Sequence, residues 1–287
     1  MGEKLTLLKP KIDVVFHALF REGNEKITKA IIQAATKEKI QKVNLDNDKH
    51  LVGKYPEEKL GIVDLKATLD NGTICDIEIQ LADNKDTAER FLFYWSRIYA
   101  GQLVKGDDYG KLNKVIGIII IDYELEKTKE VQKLSTKWKI REVSTGKQIE
   151  LTDVFELYII EIPKARRILK EEPKNELAQW VMFINDPNES EVSKIMEDNK
   201  EIKEAMNELE KISKDKELRR VAELREKAIR DEKNGLRHAK EEGIKEGIKE
   251  GIEQVAKKML ELNIPIQDII KTTGLQEKQI LELKKNV

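Results

Sequence analysis

The chain has 287 residues, of which 39% are hydrophobic and 37% charged, and its formal net charge at pH 7 is −1. This length fits one large domain or one domain with an appendage, and the near-zero charge excludes a global basic field, so a nucleic-acid partner needs a local patch. The single cysteine, Cys75, excludes an internal disulfide framework and a multi-cysteine zinc site.

Up to residue 184 the chain mixes helix-like and strand-like patterns, and we predict one α/β domain over 1–184. Helices are predicted over 12–20 and 25–37, then strands over 50–55, 60–69 and 73–81. An amphipathic helix over 87–103 precedes the apolar run VIGIIIID at 115–122, which is typical of a strand buried on both faces. A hairpin over 138–152 and a strand over 157–162 complete this domain.

After residue 187, charged residues and helix formers dominate the sequence, which predicts a charged amphipathic helical region over 188–240. Apolar residues recur there at steps of three, four and seven, and they form one stripe: Val192, Ile195, Ile202, Met206, Leu209 and Ile212. The stripe needs a partner, which is the main domain, another helix or a second chain.

The last predicted region, 241–287, begins with a repeat that places Gly243, Gly247 and Gly251 along one edge of a helix. Each glycine costs about 1 kcal/mol relative to alanine, so either close helix approach compensates or the helix is solvated and frays. The tail reads as helix, turn at Thr273-Gly274, helix. It is either a DNA-reading helix-turn-helix or a helical pair packed on itself, and the second helix has lysines but no arginine to read base edges.

No signal peptide or membrane-spanning segment is recognised. The N-terminus lacks the apolar run of a secretory signal, and the longest apolar stretch, 115–121, is too short to cross a bilayer. We therefore expect a cytoplasmic protein without a membrane partner.

Residues 61–82 predict a hairpin whose arms alternate between apolar and polar residues. A two-residue Asn71-Gly72 turn would mix the two kinds of face, whereas a three-residue loop over 70–72 separates them and suits Gly72 to a left-handed conformation. We therefore predict the longer loop. Its pairs are Leu69 with Thr73, Leu65 with Ile77, Val63 with Ile79, and Asp64 with Glu78.

In this register the carboxylates of Asp64 and Glu78 lie opposite each other, and like charges so placed are destabilising. A proton on one of them, a nearby basic residue, or a bound hard cation such as Mg²⁺ would relieve the repulsion. The alternative is an exposed strand face on which the acids are solvated and Lys66 pairs with Asp76.

The hairpin belongs to an ordered set of motifs. These are 9–13 with Phe16, Leu19 and Phe20; Val63-Asp64; 76–80; Arg90, Tyr94, Ser96, Arg97 and Tyr99; Gly106 and Tyr109; 158–164; the glycine repeat; and 269–275. Along essentially the whole chain they resemble the recombination-promoting nuclease and transposase-like branch of the PD-(D/E)XK nuclease superfamily. That superfamily places an Asp on one strand and (Asp/Glu)-x-Lys on the next. Here these are Asp64 and Glu78-Ile79-Gln80, with Gln in place of Lys.

The resemblance implies a restriction-endonuclease-like αβββαβ core, a mixed sheet flanked by helices, with a helical C-terminal extension. It also implies that Asp64, Glu78 and the Ile79 carbonyl hold Mg²⁺, or Mn²⁺, while Gln80 orients water or contacts phosphate. Asp13 adds a ligand or an outer contact, or is merely an acidic residue at a helix N-terminus. Because Gln80 carries no charge, Lys66 or another cation would have to supply the positive charge that lysine provides in the superfamily. His17 stands where the resemblance leads us to expect another lysine.

The helix over 87–103 carries the predicted nucleic-acid contacts. Arg90, Tyr94 and Arg97 share one face and could grip phosphates and stack on bases, with Lys66 as a further contact. In the structural alternative, Tyr94 belongs to the core and the arginines pair with Glu89 or nearby acids.

Three functions remain open. The main hypothesis is a metal-dependent DNA endonuclease that dimerises through its helical C-terminal region and acts in recombination, mobile-element activity or phage defence. The second is a non-catalytic regulator that binds nucleic acid or protein and retains the nuclease fold. The third is an assembly module whose charged helices are the function.

Overall fold

The computed structural model describes residues 5–46, 50–51, 61–62, 65–83 and 85–284, with the backbone alone at 46, 50–51 and 61–62. The strands are β1 (Val43–Asp46), β2 (His50–Leu51), β3 (Gly61–Ile62), β4 (Leu65–Leu69), β5 (Ile74–Gln80), β6 (Val115–Ile121), β7 (Ser135–Trp138) and β8 (Phe155–Glu161). The helices are α1 (Asp13–Leu19), α2 (Glu25–Thr36), α3 (Thr87–Ala100), α4 (Ala165–Glu171), α5 (Glu176–Asn185), α6 (Ser190–Asp198), α7 (Lys200–Ile212), α8 (Lys216–Glu261), α9 (Ile266–Thr273) and α10 (Glu277–Lys284).

Six of these strands form one mixed sheet in the order β1-β4-β5-β6-β8-β7, and β2 pairs with β3 separately. The three central strands β5, β6 and β8 run parallel, whereas β1, β4 and β7 join by antiparallel pairing. Every residue of β6 is buried, as the apolar run at 115–121 predicted. The mixed sheet with flanking helices confirms the predicted fold class.

The β4–β5 hairpin has the register that the polar and apolar pattern predicted. Leu65 lies opposite Ile77 and Lys66 lies opposite Asp76. The Leu69 amide donates to the Thr73 carbonyl at 2.8 Å, which closes the three-residue loop, and Gly72 in that loop has φ +82°. The predicted pairs Val63–Ile79 and Asp64–Glu78 lie outside the described residues, because 63 and 64 are not described.

The two faces of the central strands can be assigned from their packing. Phe91 of α3 clusters with Ile119, Ile121 and the β8 residues Phe155, Leu157 and Ile159. Further along α3, Ile98 clusters with Ile74 and Val115. Because side chains alternate along a strand, α3 covers the face to which the even-numbered residues of β5 belong.

The apolar stripe of the region after residue 187 is buried within the main body of the protein. Its six predicted members belong to α6 and α7, which meet at Asn199, and none is more than 7% exposed. Burial of such side chains contributes about 1.5–3 kcal/mol each. A compact unit that ends at Lys227 includes these two helices, and a second unit begins at Ala228.

The N-terminal segment is held against the start of α8 within the first unit. The Leu8 amide donates to the Ser213 hydroxyl at 3.0 Å, and the Arg219 guanidinium donates to the Thr6 carbonyl at 2.8 Å. Lys9 forms an ion pair with Glu226 at 2.8 Å. The beginning of α8 is therefore part of the packing that holds the segment before α1.

The second unit has its own small core. Ala256 from the end of α8, Ile269 from α9 and Ile280 from α10 are fully buried together. Gly274 ends α9 in the left-handed conformation, as expected at the predicted turn. The tail thus packs on itself and on the end of α8, which agrees with the helical-pair interpretation.

Two predicted details differ from the structure. The segment over 138–152 does turn at Thr145-Gly146, and its arms are joined by hydrogen bonds from the Glu142 amide to the Ile149 carbonyl at 2.8 Å and from the Leu151 amide to the Ile140 carbonyl at 3.2 Å. The hairpin is shorter than predicted: its pairing amounts to one isolated bridge, Arg141 with Glu150, and Trp138 belongs to β7 (Ser135–Trp138), which pairs with β8. The edge strand β1 was not predicted, because its alternation, Val43-Asn44-Leu45-Asp46, extends over only four residues. None of the described helices is long and apolar enough to cross a membrane.

Candidate active site

Three polar side chains of β5 lie in a row on the face that α3 covers. Asp76, Glu78 and Gln80 are 5%, 5% and 9% exposed, and they alternate with Cys75, Ile77 and Ile79 on the opposite face. Two acids two residues apart on a buried strand face are costly unless compensating groups neutralise them. Their burial argues against the solvated-face alternative for Asp76, Glu78 and Gln80.

A cation lies across the hairpin from this row. Lys66 of β4 stands directly opposite Asp76, so a positive charge accompanies the first carboxylate of the row. Glu78 lies one pair further along β5, where the register predicts Asp64 as its partner. Asp64 is outside the described residues, so its pairing stays a prediction.

Asp13 lies at the start of α1, where its carboxylate is 3.6 Å from the Arg225 guanidinium of α8. Its side chain is 45% exposed. Among the described residues, no hydrogen bond or ion pair joins Asp13 to β5. Its role as a ligand or outer contact therefore remains a prediction, and its observed contact is with α8.

Lys11 is a second cation near the C-terminal ends of β5 and β6, and the sequence analysis did not single it out. Its ammonium lies 3.3 Å from the Asp122 carboxylate and 2.8 Å from the Asn185 side-chain oxygen. The Asp122 amide donates to the Gln80 carbonyl at 3.0 Å. Lys11 is thereby connected through Asp122 to the end of β5 that carries Gln80.

The predicted nucleic-acid residues lie on one flank of α3, and aromatic rings accompany the arginines. The Arg90 guanidinium lies 5.4 Å from the centre of the Tyr94 ring, and that of Arg97 lies 6.0 Å from the centre of the Phe93 ring. Tyr94 is half-buried rather than a core residue. Arg90 makes no ion pair within the described part of the chain, so its pairing with Glu89 is not observed. Phe93 was not predicted, because an exposed aromatic has no periodic signal.

A buried ion pair fixes the loop that follows β6. Glu161 is 0% exposed and accepts hydrogen bonds from the Leu125 amide at 3.1 Å and the Thr128 hydroxyl at 2.9 Å. The Lys164 ammonium donates to Glu161 at 2.8 Å and to the Thr128 and Val131 carbonyls at 3.1 and 2.8 Å. In the sequence, the signal for this ion pair was the segment EIPK, whose two charged residues come at the end of an apolar strand.

The same loop contacts the beginning of α3. The Tyr123 and Thr87 hydroxyls are 2.9 Å apart. Burial raises the pKa of Tyr123, as do the nearby acids Asp83 and Asp86, while the Thr87 hydrogen bond and the charge of Arg90 lower it in part. The phenol therefore stays protonated at neutral pH, and it holds Thr87 one helical turn before Arg90.

Cys75 is not placed to act as a nucleophile. Its side chain is fully buried on the opposite face of the sheet. Burial, aided by the negative charges of Glu38 and Asp76, raises the pKa of the Cys75 thiol well above its usual range. A thiol that stays protonated is inert.

The oxygen donors of this row have the chemistry that Mg²⁺ prefers, namely carboxylates and amide or backbone carbonyls. Within the described residues, no group of three His, Cys, Asp or Glu side chains is arranged to hold a metal ion. The donors present, Asp76 and Glu78, fit a hard cation in kind and in burial. Besides Glu78, the donors predicted from the sequence are Asp64, outside the described residues, and the backbone carbonyl of Ile79.

The sheet is mixed, with parallel central strands, its hairpin carries buried acids, and one strand reads Asp-x-Glu-x-Gln. Together these features define a nuclease-like α/β protein of the PD-(D/E)XK class. The chain belongs to the PD-(D/E)XK nuclease family transposases, whose family model matches residues 10–239. No protein of curated function and no solved structure is found to be similar to it.

Proposed function

We propose that the protein is a Mg²⁺-dependent DNA endonuclease, for which Mn²⁺ can replace Mg²⁺, and that it hydrolyses phosphodiester bonds. The observation that carries the proposal is the buried row on β5. By the resemblance, Glu78 and Gln80 would stand at the positions of the family's acidic and basic residues, and they are 5% and 9% exposed. An acid that merely solubilised the surface would not be buried in this way.

The metal would be held by Asp64, Glu78 and the Ile79 carbonyl. When bound, it supplies activation of water and stabilisation of charge on the phosphate. Gln80 then orients the water or donates an amide hydrogen bond to a phosphate oxygen. Because an amide carries no proton to give up at neutral pH, Gln80 cannot act as the acid, and positive charge must come from Lys66 or Lys11.

Binding of DNA is proposed to rest on a local patch, since the whole chain has a formal charge of −1. Arg90 and Arg97 contact phosphates, Tyr94 stacks, and Lys66 adds a charge next to the acids. Because α3 lies on the same side of the sheet as Glu78, we expect a strand bound along α3 to approach the acids.

A homodimer through the helical C-terminal region is part of the proposal, because two sites could then cut both strands. The support is an exposed apolar stripe within the second unit: Ile244 is 52% and Ile248 is 58% exposed. Ile248→Glu is expected to shift the protein towards monomer in analytical ultracentrifugation, with Lys249→Gln as the control. A wild-type chain that sediments as a monomer at high micromolar concentration would reject the dimer.

We place the cellular role in recombination, mobile-element activity or phage defence.

The catalytic proposal is tested with supercoiled plasmid DNA in Mg²⁺, Mn²⁺ and EDTA. Wild-type protein is expected to nick or linearise the plasmid in either metal but not in EDTA, and Asp64→Ala and Glu78→Ala should each abolish cleavage. Glu197→Ala removes an exposed acid from α6 and serves as the matched control. Equal cleavage by the wild type and both active-site variants would reject the proposal.

A second candidate function is a regulator that kept the fold without the activity. Its specific support is Gln80, which is neutral where the resemblance expects lysine. This candidate predicts nucleic-acid or protein binding with no metal-dependent turnover in the same plasmid assay.

A further inference from the structure

One flank of α3 carries two adjacent aromatic rings with a guanidinium group at either end, which we call the α3 ladder: Arg90, Tyr94, Phe93 and Arg97. The Arg90 guanidinium lies over Tyr94 at 5.4 Å, and the Tyr94 and Phe93 rings meet edge to face with centroids 5.7 Å apart. Arg97 then lies over Phe93 at 6.0 Å. Each such contact is worth about 0.5–1 kcal/mol at an exposed site, so the four side chains support one another.

The ladder lies at the surface and does not belong to the core. Phe93 is 40% exposed and takes part in neither of the buried clusters that α3 forms with the sheet. Those clusters use Phe91 and Ile98, which lie on another side of the helix. An exposed aromatic ring that contacts Tyr94 on one side and Arg97 on the other is therefore available to a ligand with a flat face and a negative charge.

The packing of α3 decides which way the ladder faces. Ile98 packs on Ile74 of β5, whereas Trp95 contacts Phe155 of β8 with ring centroids 4.9 Å apart. At 100° per residue, Tyr94 lies beyond Ile98 on the side away from Trp95, and Arg90 and Arg97 follow it. The ladder thus occupies the β5 flank of α3, the side of the helix nearer the strand that carries Glu78.

We propose that the α3 ladder binds unpaired nucleotides by stacking, so that the preferred substrate is DNA with a single-stranded segment; this rests on the proposed nuclease function. In a duplex, the faces of the bases are covered by their neighbours, whereas unpaired bases can stack on aromatic rings and on guanidinium planes. The phosphates of the same strand pair with Arg90 and Arg97.

The charge of the chain favours this ligand over intact duplex. Duplex binding without sequence specificity depends on many phosphate contacts and on release of counterions, and the 53 Lys and Arg residues of this chain are offset by 54 Asp and Glu, so it has no excess of positive charge for such binding. Stacking supplies affinity without charge. We therefore expect weak dependence on salt, with a slope that corresponds to about two phosphates contacted by Arg90 and Arg97.

Fluorescence anisotropy in EDTA tests the proposal without cleavage. The probes are a labelled single-stranded oligonucleotide, the matched blunt duplex, and the duplex with a single-stranded overhang. Wild-type protein is expected to bind the first and third at least 10-fold more tightly than the blunt duplex. Phe93→Ala should weaken single-strand binding by roughly 5- to 150-fold, the range for loss of one base-stacking ring, and leave duplex binding unchanged.

A matched variant separates stacking from general damage to α3. Leu92→Ala removes a neighbouring side chain that is 51% exposed on the other flank and should bind like the wild type. Equal affinity for single strand and duplex would overturn the proposal, as would wild-type binding by Phe93→Ala or an equal loss in Leu92→Ala. Plasmid cleavage measured separately shows whether the nuclease proposal holds, so the two failures are distinguishable.

Discussion

The ammonium of Lys164 lies 2.8 Å from the carboxylate of Glu161, and both side chains are almost completely buried, at 4% and 0% exposure. The pair lies at the end of β8, on the side of the sheet that α3 covers. Through Leu125 and Thr128 it holds the loop after β6, and through Tyr123 that loop meets α3 at Thr87. We interpret Glu161 and Lys164 as positioning residues for the arginine-bearing helix.

Lys164→Met is expected to destabilise the protein by about 3–5 kcal/mol, because it leaves the Glu161 charge buried without its partner. Urea unfolding measures the change. The double variant Lys164→Met/Glu161→Gln should recover part of the loss, because no charge then remains buried, and a double-mutant cycle gives the coupling. Amide exchange at Leu125 should accelerate in the single variant. Unchanged exchange there would show that the pair does not hold the loop.

A second buried acid, Glu156, predicts a specific dependence of stability on pH. Its carboxylate accepts hydrogen bonds from three ammonium groups and one phenol at 2.9–3.0 Å: those of Lys114, Lys137, Lys139 and Tyr158. Burial alone would raise the pKa of Glu156, but the hydrogen bonds from Lys137, Lys139 and Lys114 outweigh it and lower the pKa from 4.5 to about 2. A depressed pKa of an acid means that the folded state favours the ionised form.

The free energy of unfolding should therefore include a contribution of up to about 3 kcal/mol from Glu156. It is fully present above pH 4.5 and is lost as the pH falls from 4.5 to about 2. Glu156→Gln should remove it at pH 7, so that the difference from the wild type narrows towards pH 2. Glu150 contacts Lys139 at 2.6 Å from a more exposed position. Glu150→Gln should therefore lower the free energy of unfolding by less. A difference between the wild type and Glu156→Gln that is constant from pH 7 to pH 2 would contradict this origin.

Gln80→Lys distinguishes the two proposed functions. The substitution restores the residue that the wider superfamily places two positions after the acid, and it adds a cation beside Glu78. If the protein is a nuclease limited by missing charge, plasmid cleavage should rise by about 10-fold, which corresponds to about 1.4 kcal/mol of transition-state stabilisation. Gln80→Met, which is similar in size and uncharged, is the control. Absence of cleavage in both the wild type and Gln80→Lys would favour the non-catalytic regulator.

The glycines of α8 give a prediction about helix stability. At Gly243, Gly247 and Gly251 an added Cβ would meet no atom within 4 Å, so alanine has room in the single chain. Gly247→Ala should stabilise the helix by about 1 kcal/mol, seen as a higher midpoint in thermal circular dichroism at low protein concentration. A lower midpoint for Gly247→Ala would indicate that another chain packs closely on this position.

How much of the site followed from the sequence can be argued from the hairpin. The alternation of apolar and polar residues and the demand of Gly72 for a left-handed conformation are local, so they were enough to predict the loop and the pairing of Leu65 with Ile77. The grouping of Asp76, Glu78 and Gln80 on one face followed from the same two-residue period. That this face is buried depends on the tertiary packing around it, and no local pattern indicates what covers a strand.

The sequence by itself determined the sheet-and-helix class, the β4–β5 register, the wholly buried strand β6, and the family resemblance that the match over 10–239 confirms. Each rests on short-range periodicity or on ordered motifs. Only the tertiary structure decided that α6 and α7 pack into the first unit. A truncation at residue 188 would therefore remove part of the core of that unit, whereas a truncation after Lys227 would leave the unit whole. The tertiary structure also decided that Lys164 neutralises Glu161, that three lysines surround Glu156, and that the α3 ladder lies on the β5 flank. These relations join residues distant in sequence, and their burial energies depend on neighbours that only the fold supplies.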